Sequence, residues 1–467
     1  MLKKLCFLIL FCNIGICLYA ARLTVLNTTD LHGRVNGRHG GILQIAYLIE
    51  QQKKLCSADS TLLIDCGDTT QGTFSSMVFE GELMIKCLNY LKYDVWVPGN
   101  HEFDYPLTVV KKRMQQFAGA TLLANVQSPY LAKVHRSWKM FIRKGIKIAV
   151  IGLTKPINNE MLSFGTALQR IMPEIRVAEP DIIILAQHHG MYGRNFSIYK
   201  FINQYPEIDL ILGGHSHSRN PGKKVGASTW YFQSAKHAGG LGKIIIDYDE
   251  KQKKIIKISS EVIQITKNTP IDKKLLAQIE PDLARADKIG KQKVTTMIFK
   301  NTAKLDSSIL EQKIIGTMML KQSGADVAIC NAYPTNYKLS GTIKITMKRL
   351  FYWTSYNNTT CILTLDKATY QKIMCEQKKW QKKKYQTIIT YANKDLFQKK
   401  NKIIAAFNSY AISDAGGKFP YLRDIAKNKK YMLKNNNVII RDELKQYLTG
   451  EIFVVSNKKG KISIKQK

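Results

Sequence analysis

The sequence contains few acidic residues, few cysteines and, after its first twenty residues, no long hydrophobic run. Because a transmembrane helix needs about 20 consecutive apolar residues, we expect no transmembrane anchor in the rest of the chain and expect the mature protein to be soluble. Low-complexity segments and internal repeats are also absent, and the apolar content is that of a globular protein. The 467 residues are enough for two or three domains with an ample core.

The first twenty residues differ in pattern from the rest of the chain. Lys3 and Lys4 precede an apolar run over residues 5–18, and small residues follow around Ala20. This order is typical of a secretory signal, and the run is too short for a comfortable membrane span. We therefore predict a signal peptide at residues 1–20, cleaved after Ala20, and a secreted or periplasmic mature protein.

Three of the nine cysteines lie in the predicted signal peptide, which leaves six in the mature chain. An exported protein permits disulfides, and six is an even number. Cys66 and Cys330 lie in apolar runs that are typical of strands. For these two we favour buried free thiols, and the pairing of the others stays open.

The shortage of acidic residues produces a strongly basic chain. Seventy-one Lys and Arg against 35 Asp and Glu give a formal net charge of +36, and loss of Lys3 and Lys4 leaves 36 − 2 = +34. Such a charge suits a nucleic acid or an anionic surface. No nucleic-acid motif accompanies it, and runs such as residues 378–384 are typical of an exposed helix face. We favour solvated lysines and predict no specific nucleic-acid partner, although a positive field would steer a phosphorylated substrate.

Short β-rich runs alternate with amphipathic segments from residue 22 to about residue 248. The β-rich runs are 23–27, 61–65, 94–97, 121–124, 147–152, 181–186 and 209–212, and the segments between them include 42–54 and 83–92. This alternation predicts an α/β layered domain with functional groups on the loops that follow strands. Antiparallel-looking strands at 229–233, 243–248 and 254–265 follow, then a helical connector at 272–288 and a mixed region from about 294.

Five of these strands end in carboxylate, amide or imidazole side chains. The residues are Asp30 and His32, Asp68, Asn100 and His101, His188 and His189, and His215 and His217. Oxygen and imidazole ligands without cysteine suit two divalent ions such as Zn²⁺, Mn²⁺ or Co²⁺ better than a structural thiolate zinc. In an extended strand, Asp-x-His or His-x-His places both side chains on one side, where both can bind one ion. Each pair alone is a weak signal, whereas the ordered set of five is a strong one.

This ordered set resembles the 5′-nucleotidase / UDP-sugar hydrolase family of calcineurin-like metallophosphoesterases. The matching motifs are Asp30-x-His32, Gly67-Asp68, Gly99-Asn100-His101-Glu102, His188-x-Gly190 and Gly214-His215-x-His217. Gly40-Gly41, Phe103-Asp104 and the stretch from Gly324 to Asn331 fit the same family. The resemblance covers nearly the whole mature chain. It implies an α/β fold with a four-layer α/β/β/α metallophosphoesterase sandwich and a second, α+β C-terminal domain.

The resemblance also implies domain boundaries and metal ligands. The predicted domains are a metallophosphoesterase domain at 21–266, a linker helix at 267–293 and a C-terminal substrate-binding domain at 294–467. One metal ion would be held by Asp30, His32 and His217, the second by Asn100, His188 and His215, and Asp68 would bridge the two. The choice between His188 and His189 stays open, because the sequence does not show which ring points inward.

The same resemblance assigns the chemistry. Two metal ions would clamp the phosphoryl oxygens and generate a hydroxide that attacks phosphorus in line with the leaving group. His101 and Asp104 would form a catalytic dyad in which the carboxylate orients the imidazole and the imidazole stabilises developing charge. We interpret Glu102 as a supporting residue. The remaining histidines, His39, His135 and His237, we interpret as structural.

The C-terminal region departs from the family pattern where substrate should bind. The family's Asn-x-Gly-Gly-x-Arg motif here spans residues 331–336, which lack the glycines, and Asn336 stands in place of the arginine. The candidate substrate-binding residues are Asn331, Asn336, Tyr356 and Tyr410. Tyr356 and Tyr410 could stack on a nucleoside base, and the alternative is that both are ordinary half-buried tyrosines.

These observations favour a secreted dinuclear phosphoesterase that acts on nucleotides or related small phosphate esters. One alternative is a member of the same fold that acts on a 2′,3′-cyclic nucleotide or on a sulfur ester, as thiosulfohydrolases do. A second alternative is a non-catalytic basic protein that binds nucleic acid or anionic lipid, although the intact ligand set argues against it. The sequence indicates no oligomeric state.

Overall fold

A computed structural model describes most of the chain. The described residues are 20–37, 40–157, 161–193, 196–332, 338–381, 386–392, 396–398, 400–413, 418–431, 434–457 and 462–466. The chain divides into two compact units, Met1–Asp282 and Leu283–Lys467. Their boundary falls inside one long helix at Lys273–Lys291, which lies within the predicted linker at 267–293. The predicted signal peptide, apart from Ala20, lies outside the described residues.

The first unit contains two large sheets and their covering helices. Its strands are β1 (Ala20–Thr28), β2 (Thr61–Asp65), β3 (Val95–Trp96), β4 (Ala120–Thr121), β5 (Trp138–Arg143), β6 (Ile146–Thr154), β7 (Ile182–His188), β8 (Tyr192–Gly193), β9 (Phe196–Ser197), β10 (Leu210–Leu212), β11 (Asn220–Lys224), β12 (Trp230–Gln233), β13 (Gly240–Asp249) and β14 (Lys254–Gln264). Its helices are α1 (Ile42–Leu55), α2 (Phe74–Met77), α3 (Glu82–Leu91), α4 (Leu107–Gln116), α5 (Phe164–Val177), α6 (Tyr199–Ile202) and the start of α7 (Lys273–Lys291).

Each large sheet contains four parallel strands, with antiparallel strands added at one edge of the first sheet and at both edges of the second. One sheet has the order β14-β13-β1-β2-β3-β4, and the other has the order β11-β12-β10-β7-β6-β5. Strands β1 to β4 run parallel to one another, as do β12, β10, β7 and β6. All seven residues of β7 are buried, which accounts for its unbroken apolar start at Ile182–Ala186. The carboxyl ends of parallel strands meet at one edge, so the loops that follow them are neighbours.

The two sheets pack face to face and carry helices on their outer sides. Val25 and Ile64 of one sheet share a buried cluster with Ile184 and Leu212 of the other. On the outer face of the second sheet, Leu168 and Ile175 of α5 pack in a cluster with Leu185 and Ile211. On the outer side of the first sheet, α1 contacts β13 and buries Ile45 and Ile49. The predicted four-layer α/β/β/α arrangement is therefore confirmed.

The second unit is a smaller α+β body. Its strands are β15 (Lys293–Lys300), β16 (Val327–Ala332), β17 (Gly341–Thr346), β18 (Thr359–Asp366), β19 (Gln386–Tyr391), β20 (Lys402–Asn408), β21 (Lys434–Ile439), β22 (Glu451–Ser456) and β23 (Ile462–Gln466). Its helices are α8 (Ser307–Ser323), α9 (Met347–Trp353), α10 (Lys367–Gln381), α11 (Ser409–Ile412), α12 (Pro420–Lys427) and α13 (Ile440–Tyr447). The strands form sheets of order β17-β15-β22-β23 and β19-β16-β20-β18-β21, and the predicted α+β class is confirmed.

Helix α8 shows how local sequence sets an element boundary in this unit. Asp306 precedes the helix, and its side chain accepts a hydrogen bond of 2.8 Å from the backbone N–H of Ser308. The helix ends at Gly324, which has φ of 66°, a left-handed conformation that glycine adopts without a Cβ clash. The helix buries Leu310, Ile314 and Met318.

The composition-based expectations can be compared with the described residues. All six cysteines after the predicted signal are free, and Cys66 and Cys330 are buried, as predicted. Lys378 and Lys379 are exposed on α10, while residues 382–384 of the same basic run lie outside the described residues. Among the described helices, none combines the length and the apolar character that crossing a bilayer requires.

Candidate metal centre

The predicted ligands of the first unit lie on loops at the carboxyl ends of parallel strands. Asp30 and His32 follow β1, Asp68 follows β2, Asn100 follows β3, His188 ends β7, and His215 and His217 follow β10. Three groups could each hold an ion, and within each group the candidate ligand atoms lie within 4.8 Å of one another. The groups are Asp30 with His32 and Asp68, Asp68 with His188 and His215, and His32 with His217 and His237.

Asp68 belongs to two of these groups and joins them. Its Oδ2 lies 3.0 Å from Nε2 of His188 and 3.9 Å from Nε2 of His32. Its other oxygen, Oδ1, accepts a hydrogen bond of 2.8 Å from the backbone N–H of His101. Burial alone would raise the pKa of Asp68, but the charges of His188 and His101 bring that pKa well below its usual value. The carboxylate is therefore ionised, as a bridging ligand must be.

Several buried ligand atoms have no hydrogen-bond partner among the described residues. They are Oδ2 of Asp68, Nε2 of His188 and Oδ1 of Asn100. His188 Nε2 and Asp68 Oδ2 approach to 3.0 Å without the geometry of a hydrogen bond. An unsatisfied buried polar atom costs about 1–3 kcal/mol, so three in one group of loops indicate a missing ligand. Two oxygens and an imidazole nitrogen are donors that Zn²⁺, Mn²⁺ and Co²⁺ accept, so the residues fit a divalent ion.

Two of the predicted histidine ligands are held in the required tautomer. Nδ1–H of His188 donates to the carbonyl of Cys66 at 2.6 Å, and Nδ1–H of His32 donates to the carbonyl of Gln71 at 3.1 Å. A carbonyl only accepts, so these bonds put a proton on Nδ1 and make Nε2 the nitrogen through which each ring could coordinate an ion. Nε2 of His32 is 3.1 Å from Nε2 of His217, which in turn is 3.4 Å from Oδ1 of Asp30.

The structure separates His188 from its neighbour His189. His188 is fully buried beside Asp68, whereas Nδ1 of His189 bonds to the carbonyl of Gly190 at 3.0 Å. The His189 ring packs edge-on against Phe164, with 5.8 Å between ring centroids, and it belongs to none of the three groups. Burial lowers the pKa of His189 to about 4.

The loops that carry the predicted ligands have an unusual backbone conformation. Asp30, His32, Asp68, His215 and His217 all have φ between 50° and 63°. The expectation that Asp-x-His and His-x-His lie on extended strands is therefore wrong: β1 ends at Thr28 and β10 ends at Leu212, before either pair begins. The left-handed turns leave Asp30 and His32 in one candidate group, whereas His215 and His217 fall in two different groups. Non-glycine residues in this region are uncommon and strained, and they concentrate at functional sites.

Glu102 anchors the loops around Asp68. It is 2% exposed, and its two oxygens accept hydrogen bonds from four backbone N–H groups. The donors are Gly99 and Asp68 to Oε2, at 2.6 and 2.9 Å, and Thr69 and Thr70 to Oε1, at 2.7 and 2.8 Å. Burial, followed by the charge of Asp68, raises the pKa of Glu102. These contacts agree with its interpretation as a supporting residue.

His101 and Asp104 are paired, as the sequence predicts. Nδ1 of His101 lies 2.7 Å from Oδ2 of Asp104. Burial would lower the pKa of His101, but Asp68 and the hydrogen bond to Asp104 raise it to about 9. The ring lies beside that of His32, with 5.6 Å between centroids, so the imidazolium is next to the candidate metal ligands.

Sequence reasoning missed two residues beside this centre. Lys155 directly follows β6, and its Nζ lies 2.8 Å from Nε2 of His215. Burial, His188 and Lys155 lower the pKa of His215 to about 2, so its ring is neutral. The second residue is His237, which groups with His32 and His217. The position of Lys155 directly after a parallel strand could have predicted its place near this centre. No sequence motif includes His237, so nothing in the sequence predicted its place.

The described contacts of the second unit do not bring its four predicted substrate-binding residues into one cluster. The side-chain amide of Asn331 donates to Oε1 of Gln377 at 3.0 Å. Asn336 lies outside the described residues. Tyr356 and Tyr410 are 48% and 43% exposed, so the stacking role and the alternative of ordinary half-buried tyrosines both stay open.

The two tyrosine-bearing segments, the loop before β18 and helix α11, are connected by hydrogen bonds. Thr360 of β18 pairs with Asn408 of β20, so the loop before β18 and helix α11 after β20 lie at the same end of the sheet. Ser409 accepts a hydrogen bond of 3.1 Å from the backbone N–H of Thr359, and its hydroxyl donates to Oδ1 of Asn358 at 3.2 Å. Tyr356 in the loop before β18 and Tyr410 in the short helix α11 are therefore carried by neighbouring segments.

Comparison with known proteins agrees with this geometry. Residues 23–219 match the family model described as calcineurin-like phosphoesterase. Over 220 residues the chain is 31% identical to protein UshA of Yersinia enterocolitica, a match that covers 42% of this chain and 40% of that protein. Over 222 residues it is 32% identical to a 5′-nucleotidase of Vibrio vulnificus, again covering 42% of this chain and 40% of the relative. The matched region thus spans about two fifths of the length of these relatives.

A solved structure matches over most of the chain. A putative 5′-nucleotidase from Staphylococcus aureus has a TM-score of 0.74 with 16% identity, and the match covers 92% of this chain and 97% of that one. At this identity the likeness concerns the fold, which it supports for both units. The family match over residues 23–219 confirms the resemblance that the sequence motifs of this region indicate.

Proposed function

We propose that this chain, whose residues 23–219 form a domain of the calcineurin-like phosphoesterase family, hydrolyses nucleotides with two divalent metal ions. The observation that carries the proposal is the position of Asp68, whose Oδ2 faces His188 at 3.0 Å and His32 at 3.9 Å. One ion would be held by Asp30, His32 and His217, and the other by Asn100, His188 and His215. Zn²⁺, Mn²⁺ and Co²⁺ all suit this ligand set.

The residues of the first unit divide the work of phosphoester hydrolysis. When bound, divalent ions at such a centre supply Lewis acidity toward phosphoryl oxygens and lower the pKa of a bound water. Asp104 fixes the His101 ring through Nδ1, which leaves Nε2–H to donate to a phosphoryl or leaving-group oxygen. Glu102 fixes the backbone at Gly99 and at Asp68–Thr70, so the bridging carboxylate is held before substrate binds.

We propose that the second unit selects the substrate. Its exposed Tyr356 and Tyr410 would stack on a nucleoside base, which any aromatic face can do without reading base identity. Because Asn331 already donates to Gln377, we assign it a lesser role in which it shapes the site. Asn336 remains a predicted contact to the phosphate or ribose. Bacterial relatives named 5′-nucleotidase support a nucleotide over a cyclic nucleotide or a sulfur ester.

We further propose that residues 1–20 are an export signal and that the protein acts outside the cytoplasm. Export would expose it to nucleotides and other small phosphate esters beyond the cell membrane. N-terminal sequencing of the protein recovered from the medium or periplasm tests this, and a mature chain that still begins at Met1 would overturn it.

The function is tested by metal reconstitution and a substrate panel. The full mature chain is stripped of metal, reloaded with Zn²⁺, Mn²⁺ or Co²⁺, and assayed for product release. The substrates are AMP, UDP-glucose, 2′,3′-cyclic AMP, p-nitrophenyl phosphate and a sulfur ester. We expect phosphate release from AMP to be the fastest reaction, with two ions bound per chain. A preparation with two ions that hydrolyses none of the five would refute the proposal, and preference for the sulfur ester would favour the thiosulfohydrolase-like alternative.

A further inference from the structure

His237 lies against the histidines that are predicted to hold the first metal ion. Its ring centroid is 5.4 Å from that of His32 and 5.4 Å from that of His217. The candidate ligand nitrogens of these three residues are all within 4.8 Å of one another. Sequence reasoning had interpreted His237 as structural, and neither its position in the motif set nor its spacing suggests a ligand.

The backbone at His237 is fastened to the predicted ligand loop. The N–H of His237 donates to the carbonyl of Asp30 at 2.6 Å, so the main chain of one candidate ligand positions the other. The same segment packs closely against Gly40, where an added Cβ would lie 2.1 Å from the carbonyl oxygen of Ala238. Gly40 thus allows a close approach that no other residue could make.

His237 shares the strained conformation of the predicted ligands. Its φ is 57°, and that of the next residue, Ala238, is 52°. Five of the 14 described non-glycine residues with positive φ are predicted ligands, and His237 is the only other histidine among those 14. Such conformations persist only where surrounding contacts impose them, and they concentrate at ligand sites.

We propose that His237 is an additional protein ligand of the first metal ion, alongside Asp30, His32 and His217. This inference rests on the dinuclear centre of the proposed function. An extra imidazole would make this half of the centre richer in nitrogen than a set of two carboxylates, Asp30 and the bridging Asp68, and two histidines. It would therefore favour Zn²⁺ or Co²⁺ over Mn²⁺, because imidazole suits the former ions and oxygen ligands suit the latter.

The proposal is tested on the full mature chain by metal binding rather than by turnover. His237→Ala removes the ring, whereas His237→Phe keeps an aromatic ring against His32 and His217 but removes both nitrogens. His135→Ala is the matched control, because it deletes an imidazole of the same unit that belongs to none of the candidate metal groups. Each variant is stripped, titrated with Zn²⁺ against a chromophoric chelator, and loaded with Co²⁺ for its visible absorption spectrum.

We expect both His237 variants to bind one of the two ions at least about tenfold more weakly and to show a changed Co²⁺ spectrum. The His135→Ala variant should match the wild type in its ion affinity and in its Co²⁺ spectrum. If His237→Phe matches the wild type while His237→Ala does not, the ring acts only by packing and the proposal is wrong. Unchanged affinity and spectrum in both variants would also overturn it. A wild type that binds two ions but cleaves no substrate would refute the proposed function and leave this inference intact.

Discussion

The predicted metal-binding loops of the first unit differ from the tyrosine-bearing segments of the second unit, the loop before β18 and helix α11, in which side chains can serve at each position. At the first set, Asp68, His188 and His32 meet within 3.9 Å through atoms that only carboxylate and imidazole provide. At the second set, Tyr356 and Tyr410 present exposed rings that another aromatic residue could replace. Metal coordination requires defined donor atoms, whereas stacking requires only a flat π-surface. The reaction is therefore readable from residue types, and the substrate is much less so.

This difference predicts that substitutions in the two units have different signatures. Changes at the metal centre should slow hydrolysis of every substrate, because each shares the same phosphoryl chemistry. Changes at the tyrosine-bearing segments should affect only substrates that carry a nucleoside. Comparing AMP with p-nitrophenyl phosphate, which has no nucleoside, separates the two effects within one set of assays.

The largest effect is expected for Asp68→Asn. The amide keeps the size of the side chain but removes the charge that two candidate ligand groups share. We expect loss of at least one bound ion and a fall in kcat of at least about a thousandfold on both AMP and p-nitrophenyl phosphate, since metal activation contributes several kcal/mol. Metal content and initial rates measure this. Asp59→Asn, at an exposed carboxylate of the same unit, is the control and should match the wild type.

The His101–Asp104 pair should give the next largest effect. His101→Ala removes the proposed proton donor, so kcat should fall about 10²- to 10⁴-fold on both substrates. The Ala variant should still bind two ions, because His101 is not a predicted ligand. Asp104→Asn keeps a side chain next to Nδ1 and should cost less, since it disturbs the orientation of the ring rather than removing it. Full activity of His101→Ala with both ions bound would show that the dyad has no catalytic role.

Glu102→Gln should act mainly on stability. Each oxygen of Glu102 accepts two backbone N–H bonds, so whichever oxygen becomes the amide NH₂ leaves two donors unsatisfied. At about 1–3 kcal/mol for each buried unsatisfied group, we expect the free energy of unfolding to fall by roughly 2–6 kcal/mol. Chemical denaturation of the metal-free chain measures this without interference from ion binding. Glu82→Gln, at a partly exposed carboxylate of the same unit, should change stability far less.

Smaller and more selective effects are expected in the second unit. Tyr356→Ala or Tyr410→Ala should raise KM for AMP by about 5- to 100-fold, which corresponds to about 1–3 kcal/mol of stacking. Neither should change kcat/KM for p-nitrophenyl phosphate. Phenylalanine at either position should retain most of the AMP affinity, because it keeps the stacking face. An equal loss on both substrates would break the proposed division of roles between the two units.

Several strands and helices were predictable from the pattern of apolar residues in the sequence. The runs at 61–65 and 209–212 coincide with β2 (Thr61–Asp65) and β10 (Leu210–Leu212), and 42–54 coincides with α1 (Ile42–Leu55). The predicted metal ligands of the first unit are brought together as well, since the loops after parallel strands converge. The left-handed turns at Asp30 and His215 were not predictable, because positive φ in a non-glycine residue is imposed by tertiary contacts. The place of His237 beside His32 and His217 was not predictable for the same reason, because tertiary contacts impose it.

Lys155 provides the smallest and most diagnostic test of the comparison. It lies in the first unit and is not a predicted metal ligand, and its Nζ is 2.8 Å from Nε2 of His215, a predicted ligand of the second ion. A positive charge beside a divalent ion is repulsive, so Lys155→Met should tighten binding of the second ion by a few fold, on the order of 1 kcal/mol. Titration of the stripped variant with Zn²⁺ measures this, and Lys147→Met, at an exposed lysine of β6, the strand that Lys155 follows, is its control. Weaker ion binding in Lys155→Met would contradict the repulsion. A raised KM for both AMP and p-nitrophenyl phosphate would show that Lys155 binds the phosphoryl group, and substrate affinity would then depend on the first unit as well as the second.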